Sequence, residues 1–193
     1  MAPLPPLCLA SESPRRAELL RKLNIPFTTM RVDVAEISGG LPARILPLAN
    51  ALRKADAAAG KRPDALILAA DTVIALDGRI YGKPADLDEA AAFLRRFSGR
   101  MHEVLTGVAL EHRASGWQKS FIATTKVWFK SLSDRTIADY LALVPVLDKA
   151  GAYAMQDHGE VLIERFDGDP DNVVGLPTAE VASALREFHW KCS

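Results

Sequence analysis

Apolar residues in this chain form short runs, separated by longer stretches in which apolar and polar residues mix. Two of the runs, Leu7–Ala10 and Ala65–Leu76, are almost continuously apolar, which is typical of buried strands. Asp77-Gly78 is a tight-turn signal after the second run, so it predicts a hairpin. The predicted strands are Leu7–Ala10, Phe27–Val32, Ala65–Leu76, Arg79–Tyr81, Glu103–Leu110 and Phe121–Phe129.

Apolar residues at helical spacing, with capping residues at the ends, predict helices between these strands. Ser133 is a suitable N-cap for one of them, and Gly60 is the predicted C-terminal cap of another. Helices interspersed among strands favour an α/β domain with a central sheet. The predicted helices cover Arg15–Leu23, Pro47–Ala59, Asp88–Phe97, Asp134–Val144 and Thr178–Phe188.

Composition restricts the size of the fold and the kind of ligand. The 193 residues, 49% of them hydrophobic, suit one domain or two tightly joined lobes, and we expect a single domain over 1–193 with one cleft. Lys plus Arg and Asp plus Glu both number 24, so the net charge is zero. A general nucleic-acid binder usually carries a basic excess. Recognition of phosphate is therefore expected to be local, for a small anionic ligand and not a polymer.

The sequence shows no targeting or membrane signal. No basic segment followed by a long apolar stretch opens the chain, and no run approaches the roughly 18 to 20 apolar residues of a membrane span. The expected location is the cytoplasm, with no membrane partner. The two cysteines, Cys8 and Cys192, have no metal-ligand spacing, and Cys8 is expected to be a small core residue.

A polar run joins the first strand to the first helix. Ser11-Glu12-Ser13-Pro14-Arg15-Arg16 places free backbone N–H groups and two guanidinium groups at a helix N-terminus, which favours a bound phosphate. The alternative is an ordinary helix start, in which Ser13 caps the helix, Pro14 opens it and both arginines are solvated.

Asp71 is the strongest catalytic candidate because it interrupts an apolar strand. A carboxylate buried there without a partner would cost several kcal/mol, so it is expected to meet a base, a metal or a ligand. The alternative is a carboxylate at the strand end that hydrogen-bonds to a neighbouring loop.

Several short blocks, in order along the chain, resemble the Maf family of nucleoside triphosphate pyrophosphatases. The resemblance extends from Leu7 to about Leu185, and it implies an elongated mixed β-sheet of the Maf/ITPase-like type, flanked by helices, with a cleft between two lobes. Homodimers are common in that family, although the sequence itself shows no interface. Besides the opening run, the matching blocks are Ala70–Val73, Gly82–Pro84, Ser98-Gly99, Thr106–Val108, Asp148–Tyr153, Gln156 and Val174–Pro177.

The resemblance also implies an activity and a metal site. Water would attack the α-phosphorus of a nucleoside triphosphate, with Asp71 as the catalytic proton acceptor. Glu36 and Asp71 would hold a divalent cation such as Mg²⁺, Mn²⁺ or Co²⁺. Family members usually carry a second acid before this glutamate, where this chain has Ala35. The expected phosphate-binding residues are Ser11, Arg16, Lys54 and Lys83, and Lys149 also matches a family lysine.

Three positions match the branch of the family that prefers dTTP and UTP. These are Arg15, Thr72 and Gln156, and a glutamine amide offers the donor and the acceptor that the pairing edge of thymine or uracil requires. Modified pyrimidine nucleotides such as 5-methyl-UTP and pseudo-UTP would also be substrates, in a housecleaning role. Two alternatives stay open: a pyrophosphatase for 7-methyl-GTP or a purine nucleotide, and a non-catalytic regulator of septum formation.

Overall fold

The computed structural model describes residues 4–189, which form one seven-stranded mixed sheet with helices against it. The strands are β1 Leu7–Leu9, β2 Phe27–Thr29, β3 Leu66–Leu76, β4 Arg79–Tyr81, β5 Met101–His112, β6 Trp117–Phe129 and β7 Ile163–Asp167. The helices are α1 Pro14–Arg21, α2 Leu46–Lys61, α3 Leu87–Phe97, α4 Asp134–Leu143, α5 Gly159–Leu162, α6 Pro170–Val174 and α7 Thr178–Glu187. None of the helices in this part of the chain has both the length and the apolar character that crossing a bilayer requires.

The sheet has the strand order β2-β1-β3-β5-β6-β7, with β4 as an additional partner of β3. Strand β1 is parallel to β2 and β3, and all other pairings are antiparallel. The long β3, β5 and β6 therefore form an antiparallel centre, to which a small parallel unit is attached.

One edge of β3 is interrupted in the middle. Along its other edge β3 pairs with β5 through residues 67–75 without a break. On the interrupted edge β1 pairs with residues 66–68 and β4 pairs with residues 74–76. Among residues 4–189 no strand pairs with residues 69–73 on that edge, so the sheet has a gap there.

The gap separates two apolar clusters on one face of the sheet. Leu68 and Ala70 belong to a cluster that includes residues of α1 and α7. Ile74 and Leu76, on the same face, belong to a second cluster with residues of α3 and α4. Thr72 lies between the two clusters because every second residue of a strand points to the same face. These clusters are the cores of two lobes that meet at the gap.

The opposite face of β3 packs against α2. Ile67 and Ala69 contact the alanine-rich side of that helix, and Val73 and Ala75 belong to a separate small cluster. Asp71 lies between these two apolar groups. Because side chains alternate between the two faces along a strand, the adjacent residues Asp71 and Thr72 point to opposite faces of the sheet. At the gap in the β3 edge, both faces border the same open space.

Most predicted elements are confirmed, with shifted ends. The strand predicted over Phe27–Val32 is shorter, whereas β5 and β6 extend beyond their predicted limits. The prediction that Gly60 ends its helix is wrong, since α2 continues to Lys61. Arg62, with φ −138° and ψ 70°, ends it because the following Pro63 disfavours helical geometry at the preceding residue. Cys8 is buried in the core as expected, and Cys192 lies outside the described residues.

Candidate active site

The gap in the β3 edge opens into a cavity of about 450 Å³ between the two lobes. Both faces of the sheet and loops from both lobes contribute to its wall. Its charged and polar lining includes Arg15, Arg16, Glu36, Asn50, Lys54, Asp71, Thr72, Lys83, Asp148, Lys149 and Gln156. All the predicted site residues except Ser11 therefore lie around one space.

Asp71 is the most buried carboxylate in this cavity, with 9% of the residue exposed. Its Oδ2 accepts a hydrogen bond from Asn50 Nδ2 at 3.0 Å, and its Oδ1 accepts one from Lys54 Nζ at 3.0 Å. Both donors lie on α2. The alternative of a strand-end carboxylate bonded to a neighbouring loop is wrong, because Asp71 lies mid-strand and is held by a helix across the sheet face.

Glu36 and Asp71 share Lys54 as their counter-ion. The Lys54 ammonium lies 2.5 Å from Glu36 Oε1 and 3.0 Å from Asp71 Oδ1. Partial burial would raise the pKa of Glu36, but the hydrogen bond and charge of Lys54, helped by Lys83 and Arg16, hold that pKa below its ordinary value. Glu36 is therefore a carboxylate at neutral pH and a good acceptor or cation ligand.

Asn50 is a site residue that the sequence reasoning missed. Besides its bond to Asp71, it donates to the Ile37 carbonyl oxygen at 3.1 Å and accepts from the Ile37 amide at 2.8 Å. These two bonds fix the loop that carries Glu36 against α2. The spacing along the sequence could have identified Asn50. It lies four residues after Leu46 and four before the predicted site residue Lys54, so the three residues share one face of the helix.

The start of α1 agrees only in part with the ordinary helix start that was the alternative for the run Ser11–Arg16. Ser13 is the N-cap, with its side chain accepting from the Arg16 amide at 3.4 Å, and Pro14 begins the helix. Arg16, however, is not solvated: its Nε donates to the Gly175 carbonyl at 2.9 Å and its Nη2 donates to Thr72 Oγ1 at 3.2 Å. Burial lowers the pKa of Arg16, an effect that Asp71 and Glu36 oppose.

Arg15 forms an ion pair across the cleft. Its Nη1 lies 2.6 Å from Asp148 Oδ2, and its Nη2 donates to the Asp148 carbonyl at 3.3 Å. Asp148 Oδ1 accepts from the buried Lys149 at 2.8 Å. Although desolvation opposes ionisation, Lys149 and Arg15 lower the pKa of Asp148 to about 2. Asp148 belongs to the matching block Asp148–Tyr153, but its role could not be predicted from the sequence.

A buried hydroxyl lies behind Thr72. Thr106, on the paired strand β5, is fully buried with its Oγ1 at 3.0 Å from Thr72 Oγ1 and 3.4 Å from the Asn172 carbonyl. Thr72 Oγ1 also accepts from Arg16, so its orientation is set from two sides. The strand register, in which Thr72 lies opposite Thr106, creates this contact.

The rim of the cavity holds the remaining predicted residues. Lys83 and Gln156 are exposed, and within residues 4–189 neither side chain makes a hydrogen bond or ion pair. A bond of 2.9 Å from the Gly151 amide to the Gly82 carbonyl joins their two segments. Ser11 does not line the cavity, and its Oγ instead accepts from the Ser13 amide at 3.1 Å.

This architecture places the chain in a class of α/β proteins with a mixed sheet, flanking helices and a cleft between two lobes. Two solved structures share the fold over nearly their whole length. The Ham1 protein of Staphylococcus aureus matches with a TM-score of 0.53 and 16% identity, covering 95% of this chain and 99% of its own. A HAM1 protein from Coxiella burnetii matches with a TM-score of 0.54 and 20% identity, covering 95% and 100%.

Within this class the chain belongs to the Maf family, which it matches as a Maf-like protein over residues 6–188. A relative from Akkermansia muciniphila is 44% identical over 97% of this chain and 99% of its own length. Another, from Pelotomaculum thermopropionicum, is 45% identical over 94% and 96%. Both relatives are named dTTP/UTP pyrophosphatase. The resemblance seen in the sequence is therefore confirmed.

Proposed function

We propose that this protein is a nucleoside triphosphate pyrophosphatase that converts dTTP and UTP to the monophosphate and pyrophosphate. Modified pyrimidine nucleotides such as 5-methyl-UTP and pseudo-UTP are included among its substrates. The names of its full-length relatives support this substrate class. The observation that carries the proposal is the carboxylate of Asp71, fixed by Asn50 and Lys54 in a cavity whose wall includes five Lys and Arg side chains.

The cations are placed to receive a triphosphate. Arg16, Lys54 and Lys83 lie around the cavity, and Arg15 and Lys149 contribute further positive charge. Pyrophosphate release moves negative charge onto the leaving group, and fixed cations stabilise that charge in the transition state. Because the whole chain has no net charge, this positive site is a local feature that suits a small polyanion.

Asp71 is the residue that acts on water in this proposal. Its carboxylate orients a water molecule toward the α-phosphorus and accepts a proton as the new P–O bond forms. The bond between the α-phosphorus and the bridging oxygen breaks, and pyrophosphate leaves with the electron pair. Asn50 holds the carboxylate in place during the step, since its amide fixes Oδ2.

A divalent cation fits the donor set of the cavity. Glu36 and Asp71 offer hard carboxylate oxygens that converge on one point, the point that the Lys54 ammonium contacts. Among residues 4–189 no group of three or more His, Cys, Asp or Glu side chains comes together, so phosphate oxygens and water would complete the coordination. When bound, Mg²⁺, Mn²⁺ or Co²⁺ would neutralise phosphate charge and acidify water.

Three residues read the base in this proposal. Gln156 has an amide without a protein partner in the described part of the chain, so its donor and acceptor are available to the imide edge of uracil or thymine. Arg15 and Thr72 lie in the same wall and are oriented by Asp148 and Thr106, respectively.

The test is pyrophosphate release from a panel of nucleotides with Mg²⁺ or Mn²⁺, by the wild type and by Asp71→Asn. We expect release from dTTP and UTP and a loss of at least about 100-fold in the variant. Asp64→Asn, an exposed change elsewhere, is the matched control and keeps full activity. Preference for 7-methyl-GTP or a purine nucleotide would overturn the base assignment, and no release from any nucleotide would overturn the function.

A further inference from the structure

Lys54 occupies the point where the proposed metal ligands converge. Its Nζ contacts Glu36 and Asp71 at 2.5 and 3.0 Å, and only 13% of its side chain is exposed. Neither carboxylate can bring the contacted oxygen to a cation in that position while the ammonium remains there. A metal ion and Lys54 therefore compete for the same two oxygens.

The charge balance at this point also opposes a free cation. The two carboxylates carry two negative charges, and Lys54, together with the Arg16 and Lys83 charges that also act on Glu36, supplies three positive charges. A divalent cation that enters alone meets two carboxylates whose negative charge is already more than balanced by these three cations. It gains little until an additional anion enters the cavity.

A triphosphate supplies that anion and a new partner for the lysine. Lys54 lines the cavity on α2, and its flexible stem lets the ammonium turn from the carboxylates toward a phosphate within the same space. The released carboxylate oxygens then face the metal.

We propose that Lys54 is an internal counter-ion that keeps the metal site closed in the free protein and exchanges carboxylate for phosphate when the metal–nucleotide complex binds. This inference rests on the proposed function for its nucleotide part and on the Lys54 geometry alone for its metal part. It makes Lys54 the residue that couples metal binding to nucleotide binding, and coupling of this kind is reciprocal.

The experiment measures Mn²⁺ binding by the electron paramagnetic resonance signal of free Mn²⁺, without and with excess α,β-methylene-UTP. The proteins are the wild type, Lys54→Met, the charge-retaining Lys54→Arg, and the control Lys61→Met at an exposed position on the same helix. Circular dichroism verifies that each variant is folded.

We expect Lys54→Met to have opposite effects on the affinity for Mn²⁺ alone and on the affinity for the Mn²⁺–nucleotide complex. Lys54→Met binds Mn²⁺ alone at least about tenfold more tightly than the wild type, because the competing charge is gone. The same variant binds the Mn²⁺–nucleotide complex more weakly, because the phosphate has lost its ammonium partner. Lys54→Arg and Lys61→Met stay close to the wild type with Mn²⁺ alone.

Other results would overturn the inference. A Lys54→Met variant that binds Mn²⁺ alone as weakly as the wild type does, or more weakly, shows that the lysine does not close the site. Absence of Mn²⁺ binding in every variant shows that the carboxylate pair is not a cation site. If the Mn²⁺ result holds but the wild type releases no pyrophosphate from any nucleotide, the metal part stands and the proposed function fails.

Discussion

Both oxygens of the Asp71 carboxylate are satisfied by protein donors, although the strand around it is apolar. Burial of an ionised carboxylate is tolerated only when hydrogen bonds and opposite charge replace its water. Asn50 and Lys54 do this from one helix face, and Asn50 also holds the Glu36 loop through Ile37. A single amide thus links the two acidic residues of the site.

We expect Asn50→Ala to reduce both activity and stability. The variant leaves Asp71 Oδ2 and both Ile37 backbone groups without this partner, which corresponds to a loss of about 1–3 kcal/mol in the free energy of unfolding. The value of kcat falls at least about tenfold because the carboxylate loses its fixed position. Urea unfolding and initial rates measure the two effects. Arg53→Ala, exposed on the same helix, is the control and changes neither.

His102 is buried in an aromatic cluster with Phe97, Phe129 and Tyr153. Its Nε2 lies 2.8 Å from the Tyr153 hydroxyl, and its Nδ1 has no partner among the described residues. Burial lowers the pKa of His102 to about 3. The histidine is therefore neutral at physiological pH and supports the Tyr153 segment of the cavity wall.

This histidine makes folding sensitive to acid. Between pH about 6.5 and about 3 the unfolded chain binds a proton that the folded chain excludes, so stability falls as pH decreases through that range. The glutamine of His102→Gln keeps a partner for Tyr153 but does not titrate. As pH decreases, we therefore expect the free energy of unfolding of this variant to fall by on the order of 1 kcal/mol per pH unit less than that of the wild type. Denaturant unfolding at pH 7, 6 and 5 measures the difference. An unchanged pH dependence would contradict the prediction, and His158→Asn, at an exposed position, should leave it unchanged.

At the scale of elements, the approach of α2 to the sheet decides whether the site forms. Gly107 lies opposite Asp71 in the β3–β5 register. A Cβ atom there would lie 2.3 Å from the Leu48 amide nitrogen and 2.4 Å from the Pro47 carbonyl carbon. The missing side chain lets the first turn of α2 touch β5, and this brings Asn50 and Lys54 to Asp71.

Gly107→Ala should therefore push α2 away from the strand. We expect a loss of about 1–3 kcal/mol in unfolding free energy, since the contact is with backbone that cannot give way, together with a fall in kcat. Gly60→Ala on the same helix is the comparison and should be neutral or stabilising by up to about 1 kcal/mol, because alanine is the better helix former. Equal stability of the two variants would contradict this account of the close approach.

At the scale of the whole molecule, the ion pair of Arg15 and Asp148 joins the lobes across the cleft. Arg15 lies on α1, which packs in one apolar cluster, and Asp148 precedes the turn at Ala150–Ala152, which packs in the other. The pair is partly exposed, with side chains 29% and 58% accessible, so its contribution to stability is small. Its effect is to fix where the Arg15 guanidinium lies in the cavity wall.

Asp148→Asn should consequently alter binding more than folding. We expect KM for UTP to rise about fivefold with a small change in kcat, because Arg15 loses its charged partner. Since the pKa of Asp148 is about 2, the ratio of variant to wild-type KM should be constant from pH 6 to 9. Asp134→Asn, which removes a surface ion pair with Arg95, should leave KM unchanged. A ratio that varies with pH would contradict the prediction.

Much of the fold could be predicted from local pattern because burial and capping act over short stretches of chain. The long apolar run identified β3, and Asp77-Gly78 identified the hairpin to β4. Ser133 is an N-cap as expected, and Ser13 is an N-cap as in the alternative given for the opening run. Element ends were less accurate, as at Gly60. The roles of the predicted site residues stay predictions, although all of them except Ser11 line one cavity.

The sequence by itself determined most of the elements, although not α5, β7 or α6, and it determined the absence of net charge, the family resemblance and the residue types that carry the proposed chemistry. Only the tertiary structure decided that β1 and β4 leave a gap in the edge of β3, so that Asp71 and Thr72, on opposite faces, line one cavity. It also decided the partners Asn50, Thr106 and Asp148. The physical reason is distance along the chain: these contacts join residues 21 to 133 positions apart, and no local periodicity encodes them.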